Sequence, residues 1–207
     1  MKISAYHQRR GDHVRFVKGL DAEAASIQWD RIYVSTLFTF YWDITLRTIR
    51  YYSSAVGRPD DIWVGGVMAS LMGDEIRALT GATIVKGLVN QPGQLDSDSR
   101  VIVDELTPDY SMLDAVTYKY GLKDAYLAYA TRGCPNRCDF CAVNRIEPHY
   151  VDYLPLKRQI KSLEMLYGPR HDLVLLDNSV LASDQFDRII SDLLDLGFEK
   201  GARFEKR

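Results

Sequence analysis

The chain has 207 residues, long enough for one large or two small domains. With 46% hydrophobic and 26% charged residues and a net charge of −2, it reads as an ordinary globular protein without the basic field that attracts nucleic acid. No apolar run approaches the ~20 residues of a membrane span, no signal-peptide core opens the chain, and three cysteines clustered in one stretch exclude a disulfide framework and predict a reducing, cytoplasmic setting.

In chain order, residues 2–10 predict a short helix with Ile3 and Tyr6 on one side, stopped by Gly11. Val14–Val17 predicts a short strand, and Arg31–Leu37 a second, richer in β-branched and aromatic residues. Ile44, Ile49 and Tyr52 recur at helical spacing over 42–55, and Gly57-Arg58-Pro59 ends that helix. Ile62-Trp63-Val64 is a strand running into Gly65-Gly66. A helix over 68–79 follows, with Leu71, Ile76 and Leu79 on its core side, and then a strand at Ala82–Val85. Strands alternating with helices predict an α/β half with a parallel, doubly wound (Rossmann- or flavodoxin-like) sheet. Residues 91–124 read as a linker with polar turns, a short strand at Val101–Val103, and Tyr110, Tyr118 and Tyr120 as packing residues.

The third stretch, 125–207, opens on the apolar strand Ala125–Ala130 and runs directly into Gly133-Cys134-Pro135-Asn136-Arg137-Cys138-Asp139-Phe140-Cys141. The spacing is C-x3-C-x2-C. Three soft thiolates within eight residues point to iron–sulfur or zinc chemistry. Three cysteines fill three corners of a [4Fe–4S] cluster and leave one iron for an outside ligand. Zinc would need a fourth protein ligand, for which His149 is nearest, giving a non-enzymatic Cys3His module as the alternative. Downstream, Leu156, Ile160, Leu163 and Tyr167 predict a helix after Pro155. Asp172–Leu176 is an apolar strand that ends in Asp177-Asn178-Ser179. Phe186, Ile189, Ile190, Leu193 and Leu194 form the apolar face of a helix ended by Gly197, and Ala202-Arg203-Phe204 starts another strand.

The cysteine stretch resembles the cluster loop of the radical S-adenosylmethionine (SAM) superfamily, whose pattern is C-x3-C-x-aromatic-C with Phe140 at the aromatic position. The resemblance implies a [4Fe–4S] cluster held by Cys134, Cys138 and Cys141, with SAM chelated to the open iron. It also implies an electron donor that reduces the cluster, and reductive cleavage of SAM to a 5′-deoxyadenosyl radical that attacks a substrate this sequence does not name. It places Phe140 near the SAM adenine and Asp177 and Asn178 at the SAM amino group. For Asn178 and Ser179 the alternative is a plain turn, and Arg137 and Arg145 read as solvated loop arginines. Residues 125–207 then correspond to the first two βα units of a partial (β/α) barrel, at about 30 residues per unit, against six in the family.

Residues 1–90 resemble the cobalamin-binding-like domain that precedes many such barrels. Ser35-Thr36-Leu37 and Gly65-Gly66 match two parts of its pattern, and in the family they line a pocket for the cobalamin tail. The Asp-x-His-x-x-Gly part is absent, so histidine ligation of cobalt is not expected; the alternative is a fold relic whose Ser and Gly residues serve turns. The missing first strand and the short barrel make a fragment the expectation, with a split or degenerate protein needing a partner chain as the alternative.

Overall fold

The computed structural model describes residues 1–118, 121–122 and 124–199. It forms two compact units: residues 15–104, and residues 1–14 together with the chain from Glu105 onward. The division therefore falls elsewhere than at the expected 1–90, 91–124 and 125–207. The opening helix α1 (Lys2–Arg9) belongs with the cysteine-bearing half, and residues 91–104 belong with the first sheet.

Local chemistry accounts for both shifts. Arg31 donates to the Leu95 carbonyl (3.2 Å) and pairs with Asp96 (3.0 Å), which ties the segment after residue 90 to the sheet unit. On α1, Ser4 and Gln8 donate to the carboxylate of Asp109, the latter at 2.9 Å. Asp109 is 1% exposed and also accepts from the Ser111 amide (3.0 Å), the Ser111 hydroxyl and the Tyr167 hydroxyl (3.3 Å). Burial works to raise its pKa. The hydrogen bonds from Ser111 and Ser4, with Tyr167 behind them, outweigh burial and hold the carboxyl below its ordinary value. A depressed folded-state pKa contributes stability above the unfolded value, lost as pH falls through the folded one. Asp109→Asn turns one acceptor into a donor facing donors. It is expected to lower the stability of this unit by about 2–3 kcal/mol and to flatten the acid limb of its unfolding curve. Thermal melts from pH 7 downward test this; an unchanged curve would show that α1 is held by other contacts.

In the unit 15–104, Asp21 caps α2 (Ala22–Ala25) by accepting from the Ala24 amide at 2.7 Å. Then follow β1 (Ile32–Thr36), α3 (Trp42–Tyr52), β2 (Ile62–Gly66), α4 (Val67–Thr80) and β3 (Thr83–Val85). The sheet order is β1-β2-β3, all parallel, with Ile32 opposite Ile62 and Val64 opposite Ile84. Val64, Met68 and Ile76 are fully buried between sheet and helices. The expected strand at Val14–Val17 does not form: Arg15 turns to Asp21 and Glu23, and among the described residues no strand lies beside it. Val101–Val103 is not a strand either; a 3-10 turn spans Val103–Glu105. The inner face of α3 is Thr45, Leu46, Ile49 and Tyr52, and Ile44, two residues out of phase with Leu46, is exposed. In α4 the backbone leaves helical geometry at Met72. The buried face is nonetheless one regular helical stripe, Met68, Ala69, Gly73 and Ile76, set to one side of the expected one, and Leu79 is exposed.

In the other unit, β4 (Ala125–Ala128) is followed by the two-residue strand β5 (Thr131–Arg132). Then come α5 (Val143–Ile146), β6 (Val151–Asp152), α6 (Leu156–Tyr167), β7 (Asp172–Leu175) and α7 (Phe186–Asp195). β4 and β7 pair in parallel, Ala125 opposite Asp172 and Ala128 opposite Leu175, and α6 buries Leu156, Ile160 and Leu163 against them. Tyr110 closes this core: its ring stacks on Tyr167 (5.3 Å between centroids) and its hydroxyl accepts from the Leu127 amide at 2.8 Å. Of the expected apolar face of α7, Ile189 is buried, whereas Ile190 and Leu194 are exposed. Tyr118 is exposed, while Tyr120 and the strand expected at Ala202–Phe204 lie outside the described residues. The described chain is thus mixed α/β with small parallel sheets. No helix among the described residues is long and apolar enough to cross a membrane.

Candidate functional site: a three-cysteine loop

The cysteines lie between β5 and β6, which pair antiparallel with Thr131 opposite Asp152 and Arg132 opposite Val151. The loop is therefore the head of a wide hairpin whose stem starts where β4 ends. Two carboxylates pin that stem. Asp177, just past β7, accepts from the Ala130 amide with both oxygens (3.1 and 3.0 Å), and from the Thr131 amide and hydroxyl, the latter at 2.6 Å. Glu147 accepts from the Gly133 amide at 2.6 Å and faces Arg132 at 3.7 Å, with both side chains largely buried. The Arg132 guanidinium lies over the Tyr129 ring, 3.6 Å from its centroid, and 4.7 Å from that of Tyr153. Tyr150 donates to the Ser179 carbonyl at 2.8 Å. Burial pushes its phenol pKa up, against a hydrogen bond with Thr131, and the nearby Asp152, Asp177 and Cys134 push the same way.

Cys134 and Cys141 are half-buried, Cys138 is exposed, and all three are free thiols. A backbone bond from the Cys141 amide to the Cys138 carbonyl (3.0 Å) closes a turn over 138–141. Phe140, at its outer corner, is 94% exposed. Among the described residues, no three or more His, Cys, Asp or Glu side chains are gathered so as to hold a metal ion. His149, the fourth ligand of the alternative zinc reading, is exposed, and its carbonyl rests against Gly133. Three thiols in one irregular segment, one exposed and two half-buried, are donors of the kind that soft metals take.

Asp177 and Asn178 stand where the spacing puts them, at the end of β7 and beside the loop's stem. Their surroundings differ. Asp177 spends its carboxylate on the chain's own amides, whereas Asn178 is exposed. Glu147, Arg132 and Tyr150 escaped the sequence reading, and none carries a local signal, since each acts on a residue that the spacing does not mark. Arg137, in the loop, and Arg145, which lies in α5 and not in a loop, are both exposed.

The second set of expected residues meets at the C-terminal end of β1 and β2. Ser35 lies opposite Gly65 and Thr36 opposite Gly66, and Leu37 follows, exposed. This is the end of a parallel sheet at which ligands bind in α/β folds. Thr36, between the two residues singled out from the sequence, is the buried one: its hydroxyl donates to the Gly65 carbonyl (2.7 Å) and accepts from the Ala69 amide (3.0 Å). Beyond it, exposed Phe38 and Phe40 stack at 4.9 Å, with Tyr41 edge-on to Phe40 at 4.6 Å.

Comparison with models of known protein families, with curated proteins and with solved structures finds no match.

Proposed function

We propose that the chain holds a [4Fe–4S] cluster through Cys134, Cys138 and Cys141 and binds SAM at the iron left open, as a radical SAM protein acting on an unnamed small-molecule or other substrate. The observation that carries this reading is the C-x3-C-x-Phe-C spacing on a loop that leaves the C-terminal end of β4, a strand paired in parallel with β7. βα-type loops at that end of parallel strands build the sites of barrel folds. When bound, such a cluster supplies the electron that cleaves SAM reductively, received in turn from a separate electron donor.

The chain's own residues then divide into holders and contacts. Asp177 and Glu147 fix the stem, so that the loop starts from a defined place. Asn178, exposed beside it, is a free amide for the SAM amino group, with Asp177 as its neighbour. Phe140, almost wholly in solvent, is an apolar surface for the adenine. A reducing, cytoplasmic setting suits three free thiols. Cobalamin remains the ligand class that the resemblance implies for Ser35, Leu37, Gly65 and Gly66, without histidine as the lower ligand of cobalt.

Anaerobic reconstitution with iron and sulfide is expected to give about four irons per chain and a brown protein. Cys134→Ala, Cys138→Ala or Cys141→Ala should each reduce iron uptake to background. Stoichiometric zinc with no iron uptake would overturn the reading in favour of the zinc module.

A further inference from the structure

We propose that Cys138 and Cys141 form a redox pair that closes into a disulfide when no metal holds the loop, with Cys134 left as a free thiol. The two cysteines are the first and fourth residues of the hydrogen-bonded turn 138–141. A turn of that kind keeps its end Cα atoms within about 7 Å, and disulfides span Cα separations of roughly 4.4–6.8 Å. Little backbone movement separates the dithiol from the disulfide. Cys134 is placed otherwise. It follows Gly133, whose amide is held by Glu147, and it precedes Pro135, which restricts it to extended backbone. It thus belongs to the stem, and the other two belong to the turn.

Exposure sets the order of events. Cys138 is exposed and Cys141 half-buried, and Phe140 projects into solvent. A small-molecule disulfide such as oxidised glutathione meets Cys138 first. The Cys138 sulfur attacks one sulfur of that disulfide; a protein–glutathione S–S bond forms, the glutathione S–S bond breaks, and one glutathione leaves with the proton from Cys138. The Cys141 sulfur then attacks Cys138 Sγ and expels the second glutathione, which takes the proton from Cys141. Two protein thiols are oxidised and one glutathione disulfide is reduced to two thiols. The inference needs the turn and no metal, so it stands apart from the cluster reading. Its consequence for any soft metal is that oxidation withdraws two of the three available thiolates.

The full chain, stripped of metal by a chelator, would be equilibrated with graded ratios of oxidised to reduced glutathione, alkylated, and mapped without reduction by mass spectrometry. The expected product is one intramolecular bond between Cys138 and Cys141, with Cys134 alkylated. Cys134→Ser should keep that bond, with its midpoint ratio unchanged within about threefold. Cys138→Ser and Cys141→Ser should instead carry glutathione adducts on the remaining turn cysteine. A principal bond that includes Cys134, or adducts on both turn cysteines of the unaltered chain without a bond between them, would overturn the proposal.

Discussion

Gly66→Ala is expected to unfold the unit 15–104 at a temperature lower by about 10–20 °C, a loss of at least ~3 kcal/mol, while Gly65→Ala leaves it nearly unchanged. The two glycines are adjacent in β2 and look alike in the sequence. Their backbones differ. Gly66 has φ +98° and ψ −169°, a region that costs a residue with a side chain about 1–3 kcal/mol. A Cβ there would also overlap the Thr36 carbonyl oxygen and stand 3.0 Å from the Thr36 amide nitrogen. Both are backbone atoms of the neighbouring strand and cannot give way without breaking the β1–β2 pairing. A Cβ on Gly65 would meet the Val85 carbonyl oxygen at 3.6 Å and its Cβ at 3.7 Å, which is ordinary van der Waals contact. Thermal unfolding of the two variants, followed by a probe in this unit such as Trp63, separates the outcomes. Equal melting temperatures would mean that Gly66 is not structurally required and would leave ligand approach as the reason for the glycine pair.

This pair shows what local pattern can and cannot carry. The strands β1, β2 and β7 are legible because each is an apolar or β-branched run bounded by turn residues, and the parallel arrangement follows from their alternation with helices. Val14–Val17 has the same local character and is not a strand, because strand formation requires a neighbour and the pattern does not say whether one exists. Ile44 and Leu79 fit a helical spacing and are exposed, because spacing fixes a periodicity but not its phase against the sheet. The three thiols are legible in the sequence as one C-x3-C-x2-C cluster. What anchors them was not. Asp177 reaches back across 47 residues to Ala130, and Glu147 acts on Gly133 from the far side of the loop. The pairing of β5 with β6 is two residues long, too short to leave a pattern. The placement of α1 depends on Asp109, about a hundred positions away, a carboxylate that no motif marks.

The glycine before the first cysteine carries the second large effect, and it connects the fold to the proposed chemistry. Gly133→Ala is expected to free the cysteine loop from its stem without unfolding the unit 15–104. Gly133 has φ +76°, where an L-residue costs roughly 1–2 kcal/mol, and a Cβ would overlap the His149 carbonyl oxygen and stand 3.1 Å from that of Glu147. Relief requires the 147–149 segment to move away, and that segment carries the Glu147 carboxylate bonded to the Gly133 amide and facing Arg132. Steric relief and loss of the clamp therefore come together. The amide at position 133, protected in the parent chain by a buried carboxylate, is expected to exchange with solvent at least ~30-fold faster, in keeping with a local opening cheaper by about 2 kcal/mol or more. Iron uptake on reconstitution should fall at the same time, because Cys134 starts one residue beyond the clamp and loses its fixed position relative to Cys138 and Cys141. Glu147→Gln keeps an acceptor for the Gly133 amide and removes the Arg132 ion pair, so its effect on both readouts should be the smaller. Unchanged exchange at position 133 in Gly133→Ala would show that the loop tolerates a side chain there. Fast exchange with full iron uptake would show instead that the thiols gather around a metal without help from the stem.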